Sequence, residues 1–168
     1  AAVMQGVHNN YDTDLFQNII SKIEEISGKY HTQSQYQRAI RIIADHLRSA
    51  VFMITDGVYP SNKEQGSILR RLIRRSLRFG RQLGVLELFC GEVAGVVVSD
   101  YQKEYPELIQ NKEKIIETLT VEENKFAKTI DRGLREWDKL VLTNPKNISG
   151  SQAFYLYETF GFPLEIIE

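Results

Sequence analysis

SILRRLIRRSLRFGR, residues 67–81, sets Arg70, Arg71, Arg74, Arg75, Arg78 and Arg81 among neighbours that are otherwise largely apolar. Wound at about 100° per residue, the six arginines cover about 140° of arc, and Ile68, Leu69, Leu72, Ile73, Leu77, Phe79 and Leu83 fill most of the other side. The stretch reads as a basic amphipathic helix with one face for a core and one for anions. With Lys63 and Glu64 included, positions 63–81 carry +6 in a chain of net charge −1, which leaves −7 for the rest. Positive charge is concentrated here.

Outward from this helix the apolar residues recur mostly at three- and four-residue spacing, and the chain has only four prolines, so an all-α bundle of about six helices is expected. A first helix, capped by Asp12 or Thr13, carries the stripe Leu15, Phe16, Ile19, Ile20, Ile23 and Ile26 and ends at Gly28. A second runs from about Ser34 to Asp56 with Ala39, Ile40, Ile43, Leu47, Ala50, Val51 and Ile54 inward, packed on the first. The turn-rich GVYPSNKEQG (57–66) then places Asn62 beside the positive face.

Gly84 closes the arginine helix. Val96–Val98 alone would suit a strand, yet Leu86, Phe89, Val93, Val96 and Val97 share one helical face, and a lone strand would have nothing to pair with. One long amphipathic helix is predicted from Pro106 to about Leu142, weakened at Gly133, and a last short one over AFYLYETF, capped by Ser149 or Ser151. The chain reads as a single helical domain, 1–168, compatible with subdomains 1–100 and 101–168.

A chain of 168 residues with 42% hydrophobic content is long enough to bury a sizeable core, which argues against wholesale disorder. The single Cys90 cannot form an intrachain disulfide and reads as core. With no secretory pattern at the N-terminus, a reducing, cytoplasmic setting is expected. The most apolar run, Val85–Val98, is too short and too interrupted by Glu87 and Glu92 to span a membrane. Ala1 and the closing FGFPLEIIE suggest ends cut from a longer chain.

Few motifs offer chemistry. His8, His31 and His46 share no i, i+4 spacing with one another or with Cys90, so no metal site is expected, and Asp45–His46 reads as a structural pair. No phosphate loop and no nucleophilic triad is present. Gly91 and Gly95 read as a point of close helix packing. Phe154, Tyr155, Tyr157, Phe160 and Phe162 could stack on bases, but their spacing fits better a helix folded onto a core.

Arginine suits phosphate because its planar guanidinium stays charged and donates paired hydrogen bonds. The blander role for such a face is a solvated surface paired with carboxylates such as Glu122 and Glu123. Like-charge repulsion along 70, 74, 78 and 81 works against that role, and a polyanion would relieve it.

Five stretches, in order, carry a family likeness: AAVMQGVHNNYDTDLF, RIIADHLRSAVFMITDGVYPSN, GSILRRLIRRSLRFGRQLG, YPELIQNKEKIIETLTVEENKFAKTIDRGL and ISGSQAFYLYETFGFPLEI. On them the chain resembles the alanyl-tRNA synthetase family, in the helical tRNA-recognition region that follows the class II catalytic core. The resemblance implies a role in positioning tRNA(Ala) for ATP-dependent aminoacylation with alanine. It also implies that the catalytic core, with its ATP and Mg²⁺ contacts, lies upstream and that a zinc-bearing editing domain lies downstream. The fragment would then hold no cofactor and be inactive alone, its partners being the acceptor stem and the remainder of the synthetase chain.

The family selects a G·U pair through an Asn in a Pro-Ser-Asn loop and an Asp in a Leu-Tyr-Asp-Thr-Tyr-Gly-Phe-Pro turn. By resemblance these are Asn62 and Glu158, the second one methylene longer than the usual Asp, with Phe160 in place of the usual Tyr. The minor groove of A-form RNA exposes the guanine amine to such acceptors. Lys63, Arg70, Arg71, Arg74, Arg75, Arg78 and Arg81 would bind the flanking backbone. The competing reading is a non-enzymatic helical interaction module that docks an acidic protein or other polyanion.

Overall fold

The computed structural model describes residues 1–143 and 148–160, apart from the side chains of Asp131, Leu134, Thr143, Tyr157 and Glu158. Every regular element among the described residues is helical: α1 (Ala2–Gln5), a 3₁₀ turn (Asn10–Asp12), α2 (Asp14–Ser27), α3 (Ser34–Thr55), α4 (Glu64–Gln82), α5 (Cys90–Tyr101), α6 (Glu107–Gln110), α7 (Lys112–Thr143) and α8 (Gly150–Phe160). Six of these exceed ten residues, as the apolar spacing implied. None is long and apolar enough to cross a membrane. Two compact units form, residues 1–123 and 124–168, and α7 contributes to both.

The first unit is built on α3. Ala39, Ile40, Ile43, Leu47, Ala50, Val51 and Ile54, the face its periodicity predicts, are all buried, and Ala44 is buried with them. Phe16, Ile19, Ile20 and Ile23 of α2 and Val93, Ala94, Val97 and Val98 of α5 are buried with them, while Leu15 and Ile26 stay half-exposed. Helices α2, α3 and α5 pack on one another, and α4 lies along α3 in the most extensive helix pairing of the unit. Arg48 ties the cluster together: its guanidinium lies 5.2 Å from the Phe16 ring centre and 5.0 Å from that of Tyr101. Its Nε donates to the Tyr101 hydroxyl at 2.7 Å, and that hydroxyl donates to the Leu15 carbonyl at 3.0 Å.

Local chemistry changes several sequence expectations. Thr13 stands at the start of α2, but its hydroxyl donates back to the Asn10 carbonyl at 2.6 Å instead of capping. The side chain that caps is Asn9, which accepts from Tyr11 N and Asp12 N at the head of the 3₁₀ turn. The long helix expected from Pro106 is broken at Asn111, whose side-chain amide donates to the Glu107 carbonyl at 2.8 Å and closes α6. Leu86 is 75% exposed in the connection before α5, because that helix starts only at Cys90. Ile68 is also exposed, so the inward face of α4 is narrower than predicted: Leu69, Ile73, Ser76, Leu77 and the two glycines at 66 and 80.

Gly91 packs closely on α7, where an added Cβ would meet the Ile116 side chain at 3.3 Å; Gly95 faces open space. In the second unit Phe126, Ile130 and Leu156 are buried. Helix α8 starts in a capping box, Ser149 Oγ accepting from Gln152 N at 3.3 Å while Gln152 Oε1 accepts from Ser149 N at 2.9 Å. Among its described side chains Leu156 is the buried one: Phe154 and Tyr155 are exposed, contrary to expectation, and Tyr155 stands edge-on to the half-buried Phe160 at 5.7 Å. Phe162 lies outside the described residues.

Candidate nucleic-acid interface

The chain reverses after α3 at Gly57, with φ +87°, and the loop that follows folds back onto the first turn of α4. Ser61 N donates to the Gly66 carbonyl at 3.1 Å, and Ser61 Oγ donates to the Lys63 carbonyl at 3.0 Å while accepting from Lys63 N at 3.2 Å. Glu64 completes the reversal with φ +47°, the one non-glycine residue with positive φ among those described. A Cβ at position 66 would overlap the Tyr59 carbonyl oxygen and the Ser61 side chain, so only glycine admits this approach. Asn62 is thereby left exposed at the tip of the loop, at the head of the arginine helix.

Asn62 Oδ1 accepts a hydrogen bond from Arg70 Nη1. That bond fixes the orientation of the amide and leaves its oxygen a second lone pair for an incoming donor. Lys63, Arg71 and Arg75 are exposed and make no ion pair among the described residues, Arg75 lying 5.9 Å from the Phe79 ring centre. Arg74 is engaged internally, its Nε donating to Glu122 Oε1 at 2.7 Å. Arg81 is half-buried and donates through Nη1 to the Leu86 carbonyl at 2.6 Å and the Val85 carbonyl at 3.3 Å, anchoring the connection to α5. Arg78 is half-buried too, and its Nε finds no acceptor among the described residues.

The two acidic neighbours anticipated from sequence part company. Glu122, 4% exposed, pairs with Arg74. Glu123, 2% exposed, turns the other way and accepts from Phe89 N at 3.0 Å and Cys90 N at 3.3 Å, satisfying the first amides of α5. Burial pushes the Glu123 carboxyl above its ordinary range, against the opposing effect of those two N–H groups. Burial likewise lifts the Cys90 thiol well above the usual thiol range, with the Glu123 charge adding to it; this fully buried cysteine is core, as expected.

Glu158 falls within α8, and its side chain lies outside the described residues, as does the Gly161–Pro163 turn after it. His46 Nδ1 and Asp45 Oδ2 form the anticipated pair at 3.0 Å, and the hydrogen bond holds the Asp45 carboxyl below its usual range. Among the described residues no three His, Cys, Asp or Glu side chains gather as a metal-ligand set. Sequence reading missed the contact between Lys114 and Tyr59, whose ammonium sits 5.0 Å from the ring centre. No periodic signal links two positions so far apart in the chain.

A polar tip flanked by exposed guanidiniums is suited to an anionic polymer whose edge carries hydrogen-bond donors. The family model for class II (A) tRNA synthetases matches residues 1–168. The chain belongs to that family. It is 45% identical over 166 residues to an alanine–tRNA ligase of Thermotoga sp. (strain RQ2), covering 98% of this chain and 19% of the relative. The alanine–tRNA ligase of Methylococcus capsulatus (strain Bath) is 43% identical over 168 residues, 99% of this chain and 19% of the relative. That of Desulfitobacterium hafniense (strain Y51) is 40% identical over 173 residues, 100% of this chain and 20% of the relative. This class II synthetase chain thus spans about a fifth of the length of the curated relatives it matches.

Proposed function

We propose that this chain is the acceptor-stem recognition part of an alanine–tRNA ligase, placing tRNA(Ala) for ATP-dependent aminoacylation with alanine by the rest of the enzyme. The observation that carries the reading is the exposed Asn62 amide, oriented by Arg70 at the foot of a helix that presents Arg71 and Arg75 to solvent. Asn62 Oδ1 accepts the exocyclic amine of the guanine in a G·U pair from the minor-groove side. By the family resemblance alone, Glu158 is kept as the other base-recognition residue. Lys63, Arg71 and Arg75 neutralise the flanking phosphates and set register without reading sequence. Arg70 serves both purposes, orienting the amide and adding charge. Alone, the chain binds the stem and does not activate alanine.

Fluorescence anisotropy with two acceptor-stem hairpins, identical except for G·U or G·C at the wobble position, tests this directly. Saturable, strongly salt-dependent binding with preference for G·U is expected. Asn62→Ala removes about 1–3 kcal/mol of that preference, the scale of a good base contact. Equal binding of both hairpins by the unsubstituted chain and by Asn62→Ala would overturn the assignment of Asn62. Absence of RNA binding at low salt, with saturable binding of an acidic polypeptide instead, would favour a protein-docking module.

A further inference from the structure

The cations proposed to meet RNA all come from the loop 57–63 and from α4, yet the same loop has a contact with a third element. Lys114, in the first turn of α7, holds its ammonium 5.0 Å from the centre of the Tyr59 ring. Tyr59 is 54% exposed and lies three residues before Asn62 in a loop pinned by the bonds from Ser61 and by its close approach to Gly66. Lys114 is half-buried and makes no ion pair among the described residues, although Glu113 and Glu117 are its neighbours on α7. A lysine held over the face of an exposed tyrosine keeps its charge and its N–H donors for a further partner, while its long stem is restrained.

We propose that Lys114 is a phosphate contact of the RNA interface, and that Tyr59 is the positioning residue that holds its ammonium against the loop that carries Asn62. The inference rests on the acceptor-stem reading above and extends it, because it brings α7 into the surface that touches RNA. The ring face attracts the ammonium electrostatically without neutralising it, so the full charge remains available to a phosphate oxygen. Since the loop carrying Tyr59 also carries Asn62, one rigid segment sets both the base-reading amide and this cation. The arginines follow Asn62 on the helix that the loop leads into; Lys114 reaches the same loop, at Tyr59, from a separate helix. A strand in the groove would then be held from two elements, which resists rotation about Asn62 better than one ridge can.

The test is a salt titration of hairpin binding by the unsubstituted chain, with Arg71→Gln as the reference for a lost phosphate contact. Lys114→Gln is expected to weaken G·U and G·C hairpins by the same factor. It should also lower the slope of log K against log salt by about 0.7–0.9, so that the affinity lost between 50 and 200 mM salt shrinks about threefold. Lys114→Arg restores the slope. Tyr59→Leu, which keeps bulk but removes the ring face, is expected to lower the slope toward that of Lys114→Gln, and Tyr59→Phe to rescue it. If Arg71→Gln lowers the slope and Lys114→Gln does not, this inference is overturned and the acceptor-stem reading stands. If Lys114→Gln lowers the slope and Tyr59→Leu does not, the positioning role of Tyr59 is overturned. If the unsubstituted chain binds neither hairpin, both readings fall. Thermal unfolding of each variant separates these effects from loss of fold.

Discussion

Arg70 donates to the Asn62 side-chain oxygen across the start of α4, so the proposed base-reading amide is oriented by a side chain of the helix proposed to bind the RNA backbone. Arg70→Gln is therefore expected to do two things that no other arginine substitution does together. Loss of one charge lowers the salt slope by about 0.7–0.9. Release of the amide lets it flip between acceptor and donor faces, which removes part of the G·U preference, up to the roughly 1–3 kcal/mol at stake in Asn62→Ala. Anisotropy on the paired hairpins measures both; an unchanged preference would show that the bond does not orient Asn62.

Arg74 and Arg75 are adjacent on the same helix but are expected to behave differently. Arg74 is committed to Glu122, a carboxylate only 4% exposed, so Arg74→Ala strands a buried charge and should cost about 1–3 kcal/mol, discounted for the partial exposure of the guanidinium. Arg75 is exposed and unpaired with any carboxylate among the described residues. Arg75→Ala should change stability by less than about 0.5 kcal/mol and appear in the salt slope instead. Urea unfolding together with RNA titration resolves the pair.

Why sequence reading anticipates some of this and not the rest follows from where each signal lives. The inward face of α3 was legible because seven of its buried positions are apolar residues that repeat at helical spacing; Ala44, small and between them, was not singled out. The concentration of charge on α4 was legible for the same reason: both are properties of one helix. The break at Asn111 was hidden because the stripe from Leu108 to Ile115 continues across it, while the cause is a single amide bonding back to Glu107. The outward turn of Ile68 was hidden because a helix's own periodicity does not say how wide its neighbour is. In α8 the outward turn of Phe154 and Tyr155 was hidden because adjacent aromatics leave the inward face ambiguous, whereas Leu156 is buried. Within the site, Asn62 and the arginines could be named from sequence. Which arginine is internally paired could not, since Glu122 lies 48 residues away, nor could Lys114 be assigned to Tyr59.

Glu123 offers a pH test of the first unit. It accepts two backbone N–H groups at the head of α5, and Glu123→Ala, which strands both in a buried site, should cost about 2–4 kcal/mol. Its folded carboxyl lies above the unfolded value of about 4.3, so between the two values the native state binds more protons than the unfolded one. This contribution is fully present below the unfolded value and is lost as pH rises through the folded one. Asp45, held low by His46, works in the opposite sense and loses its contribution as pH falls. Urea unfolding across this acidic range should therefore show a component of declining stability with rising pH in the unsubstituted chain. That component disappears in Glu123→Gln and survives in Asp45→Asn.

Gly66→Ala separates the loop from the helix it precedes. Within α4 an alanine is favoured over glycine by roughly 0.5–1 kcal/mol, which alone predicts a more stable protein. The new methyl, however, would overlap the Tyr59 carbonyl oxygen and the Ser61 side chain, and the carbonyl belongs to the backbone and cannot rotate away. Shifting the loop costs about 1–3 kcal/mol, the scale of overpacking, so the substitution is expected to come out neutral to destabilising. The displacement moves Asn62 and Tyr59 while Arg71 and Arg75 stay on an intact helix. Preference for the G·U hairpin should thus fall while the arginine share of the salt slope persists. A Gly66→Ala chain that gained stability and kept its full G·U preference would mean that this close approach has no part in presenting Asn62.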